Sequence, residues 1–238
     1  MTQPPTPGAA GAARPPVPQP PAQRPPAPAV EPATAAAPLK PEAWLFDTST
    51  LLSLAAVDDL RAAVEAELSA QPCVLFDVVV DELTGLARRT DRTGLLARRA
   101  RGQLGWLGAV ADSSIGDVDR ALAIQNVIAG TRALADPWEH WAESVMIDIA
   151  RRMTQLTPVL LSEDHSARVE ANQCTPDGEG PVASYSLHKL MARMVQTGRL
   201  PAQDAASLAD QLQQAGRAQL TYTAQEFSTG NLRRVGQP

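Results

Sequence analysis

The chain has 238 residues, is 44% hydrophobic and 20% charged, and carries a formal net charge of −5. No apolar run reaches the length of a membrane span. The two cysteines, Cys73 and Cys174, lie far apart and lack metal-ligand spacing, and His140, His165 and His188 form no ligand motif, which argues against a zinc site.

The first 40 residues differ in kind from the rest: they hold 13 Pro and 11 Ala and no aromatic residue. Such a stretch cannot bury a core, so residues 1–40 are expected to form a disordered, solvated Pro/Ala-rich tail sampling extended states. A linker, a spacer or a ligand for proline-binding modules are other uses of that composition. It has no continuous apolar h-region, so it does not read as a secretory signal, and a cytoplasmic location is expected. The remainder is long enough for one domain with a full core. That domain is expected over residues 41–216, with 217–238 as an irregular C-terminal extension.

Apolar runs at 43–46, 73–76 and 159–161 read as buried strands, and Val182-Ala183 as a short fourth. Between them the spacing predicts a helical region over 50–70 broken near Val57-Asp58, then helices over 78–89 and 93–110. Residues 111–136 are ambiguous, with helical spacing from Asp117 to Ala129 and a stop at Gly130. The clearest helix runs from Pro137 to Met153, with Asp136 as its cap and an apolar stripe through Trp141, Val145, Ile149 and Met153. Further helices are expected over 165–172, 185–197 and 202–214, with a loop from Asn172 to Pro181. Strands alternating with helices give an α/β fold around a central parallel sheet of four to five strands.

Four carboxylates stand out on this framework. Asp47 directly follows the first strand, and Asp164 follows the strand at 159–161 by three residues. In right-handed βαβ units helix N-termini share a rim with strand C-termini, so Glu143, in the second turn of its expected helix, belongs near the same rim. Asp148 sits five residues further along that helix, away from it. On helix 78–89, phasing against the apolar face puts Glu82 at its border and Asp81 toward solvent. Each acid also has an ordinary use, as a helix cap for Asp47 and Asp164 or as a surface residue for the glutamates. Several carboxylates on one rim repel one another unless a cation lies between them, and hard divalent metals prefer oxygen ligands. A metal-dependent hydrolase of phosphate esters is the expectation that joins all four.

The motifs Leu45-Phe46-Asp47-Thr48-Ser49, Val79-Val80-Asp81-Glu82-Leu83, Trp141-Ala142-Glu143-Ser144 and Leu161-Ser162-Glu163-Asp164, taken in order, resemble the PIN-domain ribonuclease family. The resemblance spans about residues 43–172. It implies a three-layer PIN-like fold and a metal-dependent endoribonuclease acting on RNA. Many relatives are toxins of toxin–antitoxin pairs, which implies an antitoxin or other protein partner, and a homodimer is a further option. By the same resemblance Asp47, Glu82, Glu143 and Asp164 would hold Mg²⁺ or Mn²⁺, with Ser49 and Ser162 orienting the carboxylates. Glu143 stands where Asp is common in that family. The long region between Arg101 and Asp136, the helices beyond residue 184 and the tail exceed a minimal domain.

Six arginines fall between Arg88 and Arg101, and Arg98, Arg99 and Arg101 are the candidates to hold RNA phosphates; a solvated helix face is their ordinary alternative. Two other functions compete. A haloacid dehalogenase-type phosphatase also begins with a strand ending in Asp, but its usual second Asp two residues on is Ser49 here. A non-catalytic PIN-like module binding RNA or protein would keep the fold without the chemistry.

Overall fold

The computed structural model describes residues 40–174 and 179–232; the expected tail up to residue 39, residues 175–178 of the expected loop and the last six residues of the expected extension lie outside the described residues. The fold is α/β. Its sheet has five strands, all parallel, in the order β3-β2-β1-β4-β5 and flanked by helices, consistent with a three-layer PIN-like fold.

The central strand is β1 (Glu42–Phe46), and every residue of it from Ala43 on is buried. That continuous apolar run suits a strand covered by helices on both faces. It pairs with β2 (Cys73–Phe76) on one side and β4 (Thr157–Leu161) on the other, Phe46 opposite Leu161. β3 (Val110–Ala111) and β5 (Ala183–Tyr185) form the edges. Trp44, Leu45, Phe46, Phe76, Leu160 and Leu161 are each at most 1% exposed. Each such side chain contributes about 1.5–3 kcal/mol relative to an exposed one. The chain lays β1, β2 and β3 outward in one direction, then returns to lay β4 and β5 on the other side. The carboxyl ends of β1 and β4 therefore flank the point where strand order reverses, where open α/β sheets form their crevice.

α1 (Thr48–Ala56) and α2 (Asp58–Leu68) break at Val57, as expected. α3 (Asp77–Ala87) follows β2 directly. The expected helix 93–110 is shorter: α4 (Arg92–Gly102) ends at its glycine, a 3₁₀ turn spans Leu104–Leu107, and Gly108 at φ +79° turns the chain into β3. The periodicity hid that strand because it is only two residues long. α5 (Val118–Ala129) starts after the Asp117 cap and ends at Gly130. α6 (Trp141–Arg152) begins four residues later than the sequence suggested. Asp136 accepts the Trp138 amide at 2.8 Å in a local turn, and His140 has a left-handed backbone, φ +60°, which no helix interior tolerates.

α7 (His165–Ala171), α8 (Leu187–Gln196) and α9 (Ala202–Gln214) lie close to expectation. The segment after residue 216 does not. It contains α10 (Ala224–Thr229), closed by a Thr223–Glu226 capping box, and Phe227 is fully buried. One large aromatic in a short helix carries no periodicity, so its core role was not legible. No helix among the described residues is long and apolar enough to cross a membrane.

Candidate functional site at the β1–β4 crevice

Asp47 leaves the end of β1 fully buried. Its Oδ1 accepts the Thr50 amide at 2.7 Å, and its Oδ2 accepts the Ser49 hydroxyl at 2.7 Å and the Ser162 hydroxyl at 2.5 Å. It is thus both the N-cap of α1 and a carboxylate fixed from α1 and from the residue that follows β4. Burial raises its pKa, and the three hydrogen-bond donors oppose the rise. Both serines expected to orient the carboxylates donate to this one. Ser162 also accepts the Asp164 amide at 3.0 Å, and Ser49 accepts the Glu163 amide at 3.2 Å, so the loops after β1 and β4 are laced together.

Asp164 caps α7, its Oδ1 accepting the amides of Ser166 and Ala167 at 2.7 and 3.2 Å. Its Oδ2 faces His140 Nδ1 at 3.1 Å. Glu82, on α3, accepts the Thr48 hydroxyl at 2.6 Å. The residue is exposed along its length, yet desolvation around the carboxylate raises its pKa, with a further push from Asp47.

Glu143 lies in the first turn of α6, closer to the rim than a helix from Pro137 would have put it. Its pKa is raised to about 8, first by burial and then by the charges of Asp47 and Glu82, with a smaller push from Asp164. All three other predicted acids therefore act on this one carboxyl group. Asp81 is exposed, as expected. Asp148 is fully buried elsewhere, accepting Arg120 Nε at 2.8 Å, Arg152 at 2.5 Å and the Asp117 amide at 2.8 Å.

One neighbour was missed. His140, Glu143 and Asp164 each offer a ligand atom within 4.8 Å of the others'. The i, i+3 spacing of His140 and Glu143 was the available signal, masked because the helix was begun too early. Glu163, also unassigned, is tied to the Leu187 amide at 2.6 Å, and burial raises its pKa to about 7. Carboxylate oxygens dominate the centre, which suits a hard divalent cation, and the imidazole adds a borderline ligand. Burial is the first cause of the raised carboxyl pKa values, and at Glu82 and Glu143 neighbouring carboxylates add to it.

The arginines expected to hold RNA divide. Arg98 donates to the carbonyls of Ala87 and Arg89 at 2.6 and 3.0 Å, and Arg99 pairs with Asp58. Arg101 is exposed and has no ion pair among the described residues. Compared with known proteins, the chain matches no family model, no curated protein and no solved structure.

Proposed function

We propose that this chain is a metal-dependent endoribonuclease of the PIN-domain kind, hydrolysing RNA phosphodiester bonds at the Asp47–Glu82–Glu143–Asp164 centre. The observation that carries the proposal is the grouping of His140, Glu143 and Asp164, whose ligand atoms lie within 4.8 Å of one another; burial first, and then the charges of Asp47, Glu82 and Asp164, raise the Glu143 pKa to about 8. Such an arrangement opposes stability in the empty chain and is relieved by a divalent cation, so it fits a binding centre better than a set of helix caps.

The four carboxylates would hold Mg²⁺ or Mn²⁺, with His140 beside Glu143 and Asp164. A bound ion would polarise the scissile phosphate and lower the pKa of its own water. The chain's residues do the positioning. Ser49 and Ser162 fix Asp47, Thr48 fixes Glu82, and His140 and the α7 amides fix Asp164.

The test is cleavage of single-stranded RNA by the purified chain in Mg²⁺ or Mn²⁺, with EDTA as control. Activity is expected to require the metal and to fall by at least ~10²-fold in Asp47→Asn, the scale seen when a preorganised electrostatic group is removed. Metal-independent activity, or an unaffected variant, overturns the proposal. RNA bound but cleaved in no divalent ion points instead to the non-catalytic module.

A further inference from the structure

Next to the acidic centre lies a cleft of about 650 Å³, a size typical of small-molecule sites. Its walls come from α7, α8 and the chain that follows α9. Arg168, Lys189 and Arg217 bring three cationic side chains to it, and Glu163 is the carboxylate on its described lining. That carboxylate is occupied by the Leu187 amide. Lys189 is exposed and has no ion pair among the described residues. Arg168 and Arg217 are anchored on neutral oxygens rather than carboxylates: Arg168 on the Ser162 carbonyl at 2.6 Å, Arg217 on the Ser49 carbonyl at 2.9 Å and the Ser53 hydroxyl at 3.1 Å.

The cleft also carries groups that recognise a heterocycle. His188 is 8% exposed, lines the cleft, and its Nε2 has no hydrogen-bond partner among the described residues. Tyr222 stands beside it, ring centroids 5.0 Å apart, and Val169 and Leu220 add apolar wall. Cations with an aromatic and apolar wall and one buried unsatisfied nitrogen match a phosphate joined to a base, because phosphates take charge-assisted donors and bases pack on aromatic and apolar groups.

We infer that this cleft binds one nucleotide of a single-stranded RNA whose neighbouring phosphodiester enters the acidic centre, an inference that rests on the nuclease proposal for the path of the strand. Two residues connect the cleft to the centre. Glu163 lines the cleft and directly precedes Asp164, and Arg217 lines it while holding the backbone of Ser49, whose hydroxyl fixes Asp47. A strand lying in the cleft therefore leaves it at the crevice between β1 and β4. The wall from Arg217 to Tyr222 belongs to the segment that the sequence showed only as an irregular extension.

The test is binding of a 5′-labelled six-nucleotide single-stranded RNA to the full chain in EDTA, followed by fluorescence anisotropy. Lys189→Glu is expected to weaken binding about tenfold, since a phosphate contact is replaced by a repulsive charge. Val169→Trp, which crowds the mouth, should weaken it too. Lys40→Glu, at the opposite end of β1, is the charge control and should bind as wild type. UMP should compete only weakly, because a single unit lacks the rest of the strand. Normal binding by both cleft variants, with unchanged thermal midpoints, overturns the inference. Binding of UMP as tight as that of the hexamer also overturns it, in favour of a free-mononucleotide site. Wild type that binds through the cleft but cleaves in no divalent ion sinks the nuclease proposal and leaves the nucleotide site standing; metal-dependent cleavage with binding indifferent to Lys189→Glu does the reverse.

Discussion

Arg217 donates from Nη2 to the backbone carbonyl of Ser49 at 2.9 Å, across 168 residues of sequence. The contact joins the segment after α9 to the loop that presents Asp47. It makes that segment a supporting wall of the site, and Phe227, fully buried next to α8 and α9, is the residue that anchors it.

Phe227→Ala should therefore destabilise the whole domain by about 3–5 kcal/mol, the range for emptying a buried aromatic site. Equilibrium urea unfolding measures it. A change below about 0.5 kcal/mol, typical of surface positions, would mean the segment is not part of the cooperative unit.

His140 is the one non-glycine residue with positive φ among those described. His140→Gly and His140→Ala both remove the imidazole contact to Asp164, but only glycine adopts this backbone without strain. The alanine variant should be the less stable of the two by about 1 kcal/mol. Both should lose RNA-cleaving activity to a similar extent under the nuclease proposal. Equal thermal midpoints for the two variants would contradict the backbone assignment.

The metal-free chain should lose stability as pH rises. Glu143 binds its proton more tightly folded, with a pKa of about 8 against 4.5, so its contribution is fully present below about 4.5 and is lost as pH rises through about 8. Glu163 acts in the same sense up to about 7. His188 acts oppositely: burial depresses it from 6.5 to about 4, so its contribution is present above 6.5 and is lost as pH falls toward 4. Between pH 7 and 8 Glu143 and the upper half of the Glu163 titration both act in this sense, while His188 has finished titrating. The thermal midpoint in EDTA should fall across that interval, and Glu143→Gln should flatten the fall. A midpoint flat in wild type would show that burial and the neighbouring charges do not hold the proton on Glu143.

Much of this organisation was legible in the chain. The strands at 43–46 and 73–76 announced themselves as unbroken apolar runs because helices cover both faces of the sheet. Asp47 and Asp164 were legible because they sit immediately after such runs. Glu82 followed from helix phasing. What the chain hid was non-periodic. The two-residue β3 is too short to alternate, and the left-handed turn at His140 depends on packing rather than on a glycine signal. Arg98 looked like a surface cation, yet its guanidinium closes the end of α3 through two carbonyls.

The arginines accordingly separate by experiment. Arg98→Ala should lower stability by about 1 kcal/mol, the scale of a lost charged hydrogen bond at an exposed site. Arg101→Ala should leave stability within about 0.5 kcal/mol and weaken RNA binding at low salt. Unfolding curves and anisotropy on the same two proteins decide it. Equal stability loss in both would make the patch uniformly structural.

The most direct measurement of the central claim is calorimetric titration of Mn²⁺ into the full chain at pH 7, in two buffers of different ionisation enthalpy. With Glu143 largely protonated at that pH, metal binding at the four carboxylates should release protons, that of Glu143 among them. Glu143→Gln should bind Mn²⁺ more weakly and release fewer protons. Absence of Mn²⁺ binding in wild type, or identical affinity and proton release in Glu143→Gln, would contradict a divalent-cation centre built on these four acids.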